Sequence, residues 1–300
     1  MPDKAYVITG PTSGFGRRTA LELARHGTVV LVGRDAAKLD DVRARIEGGG
    51  GEAVTVVCDL ADLTSVRRAA AQITELGLPI AGVLNNAGIF PHRPGTNALG
   101  WDIVYATNHI GPFVFTETLA PHLADGTQVV FVVSAVEDPE RKPATLSGFR
   151  GARYISAEAS TRGEWQPGGS KLPGADAYAT SKQGNLATVL AFARETPRLR
   201  FNAVEPGFAP GTNLGRDAGL FLRLLSKYVL SPPAPLIKYW TNPGTAARVI
   251  TRILTDESDA TGVYYDEKGR PMRGSAQVHD PAFNARVVAE TRALLKTVPA

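Results

Sequence analysis

The strongest constraint in this sequence is a regular alternation. Short β-branched apolar runs are each followed by a stretch of helical periodicity: YVIT (6–9) by RRTALELARH, TVVLV (28–32) by DAAKLDDVRARIE, AVTVVC (53–58) by TSVRRAAAQITEL, and IAGVL (80–84) by a segment with a helix around 100–122. QVVFVV (128–133) and RFNAVE (200–205) continue the series. Strands with no polar face must be covered on both sides, and helices crossing between parallel neighbours do that. The expected fold class is α/β, a parallel sheet flanked by helices. No repeat interrupts the series, and GGGG at 48–51 falls between a helix and the next strand, so it reads as a turn and not a linker. One domain over 1–300 is expected.

Composition removes several function classes. With 300 residues, 43% hydrophobic and 21% charged, the chain can bury one large core. A net charge of +4 with scattered basic residues implies neither nucleic acid nor a membrane surface as partner. The single cysteine, Cys58, excludes an internal disulfide; inside AVTVVCD it reads as a buried thiol and not a nucleophile. MPDKAYVITG lacks a signal-segment pattern, and no run approaches the ~18 apolar residues of a membrane span, so a cytoplasmic location is expected. Histidines 26, 92, 109, 122 and 279 have no ligand spacing with one another or with Cys58, and no metal site is expected. His109, next to Asn108, reads as a helix or cleft-lining residue.

The first strand runs directly into TGPTSGFG at 9–16, with glycines at 10, 14 and 16 and a helix following. Glycine permits the tight turn and the approach of backbone to a pyrophosphate, and the helix N-terminus offers free N–H groups and positive potential. Gly10, Thr12, Ser13, Gly14, Phe15 and Gly16 are therefore candidate dinucleotide contacts. The second strand ends in LVGRD. A carboxylate at that end would suit the ribose hydroxyls of NAD, whereas here Gly33 is uncharged and Arg34 follows. A guanidinium can pair bidentately with the 2′-phosphate that NADP has and NAD lacks, so NADP(H) is the expected cofactor. Asp35 could reach the ribose instead; ahead of AAKLDDVRARIE it reads better as a helix N-cap.

These features, with Asp59–Leu60 (DL), NNAG at 85–88, Asn108 in TNHIG, Ser134 after a strand, YATSK at 178–182 and Pro206–Gly207, resemble the short-chain dehydrogenase/reductase family over about residues 4–265. The glycine spacing is that of its non-extended branch. The resemblance implies a Rossmann-like, doubly wound parallel sheet. It implies cofactor contacts from Asp59, Leu60, Asn86, Ala87, Gly88, Pro206, Gly207 and Thr212, with Tyr178 and Lys182 contributing. It also implies a catalytic tetrad of Asn108, Ser134, Tyr178 and Lys182. Asn85 and Asn86 are either turn residues or cofactor contacts, the latter being the expectation.

YxxxK by itself carries little information, since about 0.2 copies are expected by chance and a second copy, YYDEK, stands at 264–268. ADAYATSKQGNLATVLAFARE (175–195) reads as a helix, placing Tyr178 and Lys182 on one face a turn apart. A free tyrosine, with a pKa of about 10, is a poor acid at neutral pH, and an ammonium nearby is expected to lower that value. Ser134 would hydrogen-bond the substrate oxygen where negative charge develops. The copy at 264–268 reads as a strand entering a turn, where residues four apart do not share a face in this way.

Ser134 and Tyr178 stand 44 positions apart, against about a dozen in simpler family members. The extra stretch, 137–172, resembles insertions in monomeric carbonyl reductases, retinol dehydrogenase-like enzymes and protochlorophyllide reductases. If it covers the helices expected at 99–122 and 175–195, through which small members pair, the chain is a monomer or homodimer and not a tetramer; if it covers the site mouth, the tetramer returns. Residues 207–243, with Phe208, Leu220, Phe221, Leu224, Leu225, Tyr228 and Trp240, fall where the family has its substrate lid, so a bulky apolar substrate is expected. A helix lying on a membrane is the competing use of that stretch. NPGTAARVITRIL and the tail over 266–300 resemble the retinol dehydrogenase-like group, without its amino-terminal anchor. The expected activity is NADPH-dependent reduction of a carbonyl, or the reverse oxidation of an alcohol. Reduction of an activated C=C bond and a noncatalytic NADP-binding sensor are the alternatives.

Overall fold

The computed structural model describes residues 4–90, 94–208 and 241–298. Strands β1 (Ala5–Thr9), β2 (Thr28–Gly33), β3 (Ala53–Val57), β4 (Ile80–Asn85), β5 (Gln128–Val132), β6 (Arg200–Val204) and β7 (Val263–Tyr265) form a single sheet. Their order is β3-β2-β1-β4-β5-β6-β7, and each neighbouring pair is parallel. The chain winds outward from β1 to β3, then returns to lay β4 on the other side of β1. That reversal opens a crevice at the carboxyl ends of β1 and β4, the usual place for a ligand in a sheet of this kind.

Alternate strand residues serve opposite faces, as the pleat requires. Val7, Val30, Val56, Val83, Val129 and Phe131 face helices α3 (Leu63–Glu75), α4 (103–119) and α7 (Ala175–Glu195); Tyr6, Ile8, Leu31, Leu84 and Val130 face α1 (Gly14–Leu23), α2 (Ala36–Glu47) and α8 (Pro243–Leu254). Cys58 lies in the first of these cores, and burial pushes its thiol up to about 12, as suits a packing residue. Helix α4 is composite: Ile103–Tyr105 and Gly111–Leu119 are joined by a π-helical turn over Ala106–Ile110. Most helix starts are capped. Asp35 accepts from the Lys38 N–H at 3.2 Å, as its position predicts, and Asp62 accepts from Thr64 N–H at 3.0 Å.

The insertion divides its work, so the expected choice between helix face and site mouth does not hold. It contains the short helices α5 (Lys142–Leu146) and α6 (Ala157–Thr161). Its first part brings Phe149 to within 6.4 Å of the Tyr178 ring. Its second part docks on the carboxyl-terminal helix α9 (Pro281–Lys296) and on the start of α4. There Tyr154 Oη donates to Glu290 at 2.7 Å, the Ala157 N–H reaches the same carboxylate at 3.1 Å, and the Asp102 N–H donates to Thr161 O at 2.6 Å. Helix α9 lies along α7, and the insertion touches α7 as well, the Arg153 N–H donating to Thr180 Oγ1 at 2.8 Å. Arg292 ties the three helices, donating to Glu117 of α4 at 2.6 Å and Glu195 of α7 at 2.7 Å. Every residue of α7 from Ala177 to Val189 is buried, which only a helix surrounded on all sides can achieve.

Candidate active site

The glycine turn after β1 is built for close approach. Gly10 and Gly14 have positive φ (67° and 54°), and a Cβ at Gly16 would stand 2.2 Å from Gly10 O and 2.4 Å from Asn86 Nδ2. Ser13 occupies the N-cap of α1 but makes no capping hydrogen bond, so the first N–H groups of this ten-residue helix keep their donors for a ligand. Thr9 and Asn86 fasten the turn to the end of β4: Thr9 Oγ1 accepts from the N–H groups of Asn86 (3.0 Å) and Ala87 (3.1 Å), and Asn86 Nδ2 donates to Thr9 O (2.9 Å) and Gly10 O (3.2 Å). Asn86 thus shapes the cradle through its side chain. Asn85 departs from the expected cofactor contact. It is buried and its amide donates to Thr116 Oγ1 of α4 at 2.9 Å, because the last residue of β4 points into the core.

Arg34 is exposed at the end of β2, beside the glycine turn, and makes no hydrogen bond or ion pair with any other described residue. Asp59 accepts from Ala61 N–H at 3.0 Å in the turn after β3, and Leu60 is buried against Gly111 of α4. Pro206 is buried, and Gly207 has φ 80°. Thr212 lies outside the described residues, as do residues 209–240 of the lid expected at 207–243.

The four tetrad residues gather between Gly88 and the carboxyl end of β5. Ser134 follows β5 in extended conformation, with its side chain near enough to the Tyr178 hydroxyl to favour the phenolate. Lys182, one turn further along α7, holds its Nζ 5.5 Å from the Tyr178 ring centre and donates to Val132 O at 2.9 Å. A Cβ on Gly88 would lie 3.5 Å from Asn108 Oδ1 and 3.6 Å from Lys182 Nζ, so glycine keeps the floor of the cleft open between them. Asn108 sits in the π turn. Its carboxamide is committed on both sides to Ile89, accepting from the N–H at 2.8 Å and donating to the carbonyl at 2.9 Å, while its own carbonyl accepts from Asn185 Nδ2 at 2.8 Å. It therefore positions the segment after β4, and its remaining polar capacity toward a water is a carbonyl lone pair. His109 is not cleft-lining: it is fully buried between Asn185 and Thr291, and burial lowers its pKa to about 4.

Electrostatics correct one expectation. Burial, reinforced by the carboxylate of Glu205, raises Tyr178 above its ordinary value, and the neighbouring Ser134 hydroxyl only partly opposes this. The lysine does not reverse it, because its amine rests on the Val132 carbonyl and is itself desolvated. Burial lowers Lys182 to about 8, with Glu205 working against that shift. Sequence reasoning also missed Phe90 and Phe149, whose rings stand 5.0 and 6.4 Å from that of Tyr178 and give the mouth of the site an aromatic wall. The aromatic two places after NNAG was a visible signal for the first; nothing local marked the second. Among the described residues no cluster could hold a metal ion, and no helix is long and apolar enough to cross a membrane.

A glycine cradle at the switch point of a parallel sheet, with a serine, a tyrosine and a lysine at its edge, defines a dinucleotide-dependent oxidoreductase. The family model described as short chain dehydrogenase matches residues 4–143. A polyprenol dehydrogenase of Mus musculus is 31% identical over 281 residues, covering 86% of this chain and 77% of the relative. Retinol dehydrogenase 13 of Homo sapiens is 29% identical over 308 residues, 98% of this chain and 85% of the relative. A crystal structure of an uncharacterized protein from Mycobacterium paratuberculosis superposes with a TM-score of 0.72 at 26% identity, over 97% of this chain and 93% of that one. The chain belongs to the short-chain dehydrogenase/reductase family.

Proposed function

We propose that the protein is an NADPH-dependent carbonyl reductase, or the reverse alcohol dehydrogenase, acting on a bulky apolar substrate. The observation that carries this reading is Lys182 stacked one helical turn beyond Tyr178, its amine 5.5 Å from the ring and anchored on Val132 O at the end of the strand that presents Ser134. When bound, the nicotinamide supplies the hydride that reaches the carbonyl carbon. Ser134 holds the substrate oxygen, Tyr178 gives it the proton, and Lys182 as ammonium balances the charge left on the phenol oxygen. The burial that makes Tyr178 a weak acid keeps it protonated until negative charge develops on that oxygen. The aromatic wall of Phe90 and Phe149 favours an apolar body next to the carbonyl, and two relatives are named for apolar alcohols. NADPH consumption across a panel of carbonyl compounds, with product identification, tests the reading; a saturated product from an activated C=C bond would replace it.

The choice of NADP rests on Arg34. A charge-assisted bond to the 2′-phosphate contributes roughly 1.5–3 kcal/mol, a preference over NADH of about ten- to hundredfold. Arg34→Asp should erase or invert the preference, and equal kcat/KM with both cofactors in the wild type would refute it. We further infer a cytoplasmic protein that is a monomer, or a dimer through another surface. Helix α7 is already enclosed by α9, and a partner would have to displace Arg292 from both its carboxylates. Sedimentation at micromolar concentration should give a species no larger than a dimer; a stable tetramer would overturn this.

A further inference from the structure

Glu205 precedes the Pro206–Gly207 turn, one place beyond the end of β6. It is buried, and nothing in the tetrad accounts for it. Val204 is in register with Val132, so Glu205 lies beside the turn that follows β5. There one carboxylate oxygen accepts from the Ala135 N–H, immediately after Ser134, and the other accepts from the Gly207 N–H at 3.2 Å. A single carboxylate thus joins the turn presenting Ser134 to the turn after β6. Lys182 is anchored on Val132 O, at the end of the strand preceding that same turn. The other titratable groups facing Glu205 are Tyr178 on α7, Tyr264 on β7, Arg141 from the insertion and Glu267 after β7. Burial raises the Glu205 pKa above the ordinary carboxylate value, and Glu267 adds to this, while the Ala135 and Gly207 N–H donors and Arg141 favour the ionised carboxylate.

We infer that Glu205 is a positioning residue for the proposed reaction: its carboxylate clamps the Ser134 turn to the Pro206–Gly207 turn. Its negative charge then favours the ammonium form of Lys182. The two parts separate experimentally. Glu205→Gln removes the charge and replaces one acceptor with an amide donor. Ala135→Pro removes only the N–H that the carboxylate accepts, at the first position of a helical turn, where proline fits. Ser134, being extended, suits the residue before a proline.

The charge is tested without cofactor or substrate, so the result stands apart from the carbonyl-reductase reading on which the clamp rests. In protein labelled with ¹³Cε-lysine, the resonance missing from Lys182→Arg reports the ionisation of this amine. Its midpoint should lie near pH 8 in the wild type and about one unit lower in Glu205→Gln; an unmoved midpoint in the folded variant overturns the charge role. For the clamp, both variants should lower kcat at least tenfold with NADPH Kd changed less than threefold. Glu205→Gln should also shift the basic limb of the kcat profile, which Ala135→Pro should leave in place. If Glu205→Gln does not fold, Glu205→Asp and Ala135→Pro decide: the first keeps the charge and should keep the lysine midpoint. A kcat for Ala135→Pro within twofold of wild type overturns the clamp. If the wild type reduces no carbonyl, the functional reading fails while the lysine titration still decides the charge.

Discussion

Tyr-x-x-x-Lys occurs at 178–182 and again at 264–268, and the two copies show what the same spacing becomes in different surroundings. In α7 the rise of the helix stacks Lys182 one turn beyond Tyr178, with the amine 5.5 Å from the ring. At the second copy Tyr264 belongs to β7, and Lys268 lies in the turn that follows, exposed, with its N–H on Asp266 Oδ1 at 2.9 Å. Burial does not separate them: Tyr178 is 7% exposed and Tyr264 4%, and both are made less acidic by burial and by Glu205. The hydroxyl's company does. Ser134 stands near the Tyr178 hydroxyl and favours its phenolate, while the Tyr264 hydroxyl is buried with no hydrogen-bond partner among the described residues. A reactive tyrosine here needs an oriented hydroxyl and a cation on the same face, and the second copy has neither.

Substitutions should widen or close that gap. Tyr178→Phe carries the largest expected effect: turnover is lost while NADPH affinity, read by fluorescence, is nearly unchanged, because only the proton donor is removed. Activity above about a tenth of wild type would show that another group gives the proton, since each factor of ten is about 1.4 kcal/mol of barrier. Lys182→Ala should lower both kcat and cofactor binding, the amine serving the tyrosine and, as the family resemblance implies, the nicotinamide ribose.

A pH profile sharpens the comparison from the lysine's side. With its folded pKa lowered to about 8 by burial, Lys182 is an ammonium below that pH and loses its proton above it. Carbonyl reduction should therefore be level toward pH 7 and fall as pH rises through about 8. A profile level to pH 10 would mean that the ammonium is not needed. The smallest effect belongs to the second copy. Tyr264→Phe removes a buried hydroxyl without a partner, so activity should be unchanged and stability equal or higher by about 1 kcal/mol in thermal or urea unfolding. A loss of more than a tenth of activity would blur the distinction between the copies.

What the sequence alone determined is what neighbouring residues encode. The alternation of apolar runs with helical stretches specified a parallel sheet, because strands without a polar face admit no other cover. The span 175–195 coincides with α7, and the glycines of TGPTSGFG marked the turn that Thr9 and Asn86 brace. Asp35 was legible as a cap because its side chain bonds the N–H only three residues further on. The rest depended on groups far apart in the chain. Burial outweighs Lys182 in setting the acidity of Tyr178, since desolvation is fixed by everything packed around a site and not by spacing. Asn85 turned into the core while Asn86 took up the glycine turn, a matter of which side of β4 each occupies. The insertion could be seen in the sequence, but its division between the Tyr178 mouth and α9 required knowing that α9 lies along α7. No local pattern marks Glu205, because its carboxylate meets the N–H after Ser134 only where β6 lies beside β5, a contact across 70 residues that only the tertiary structure makes.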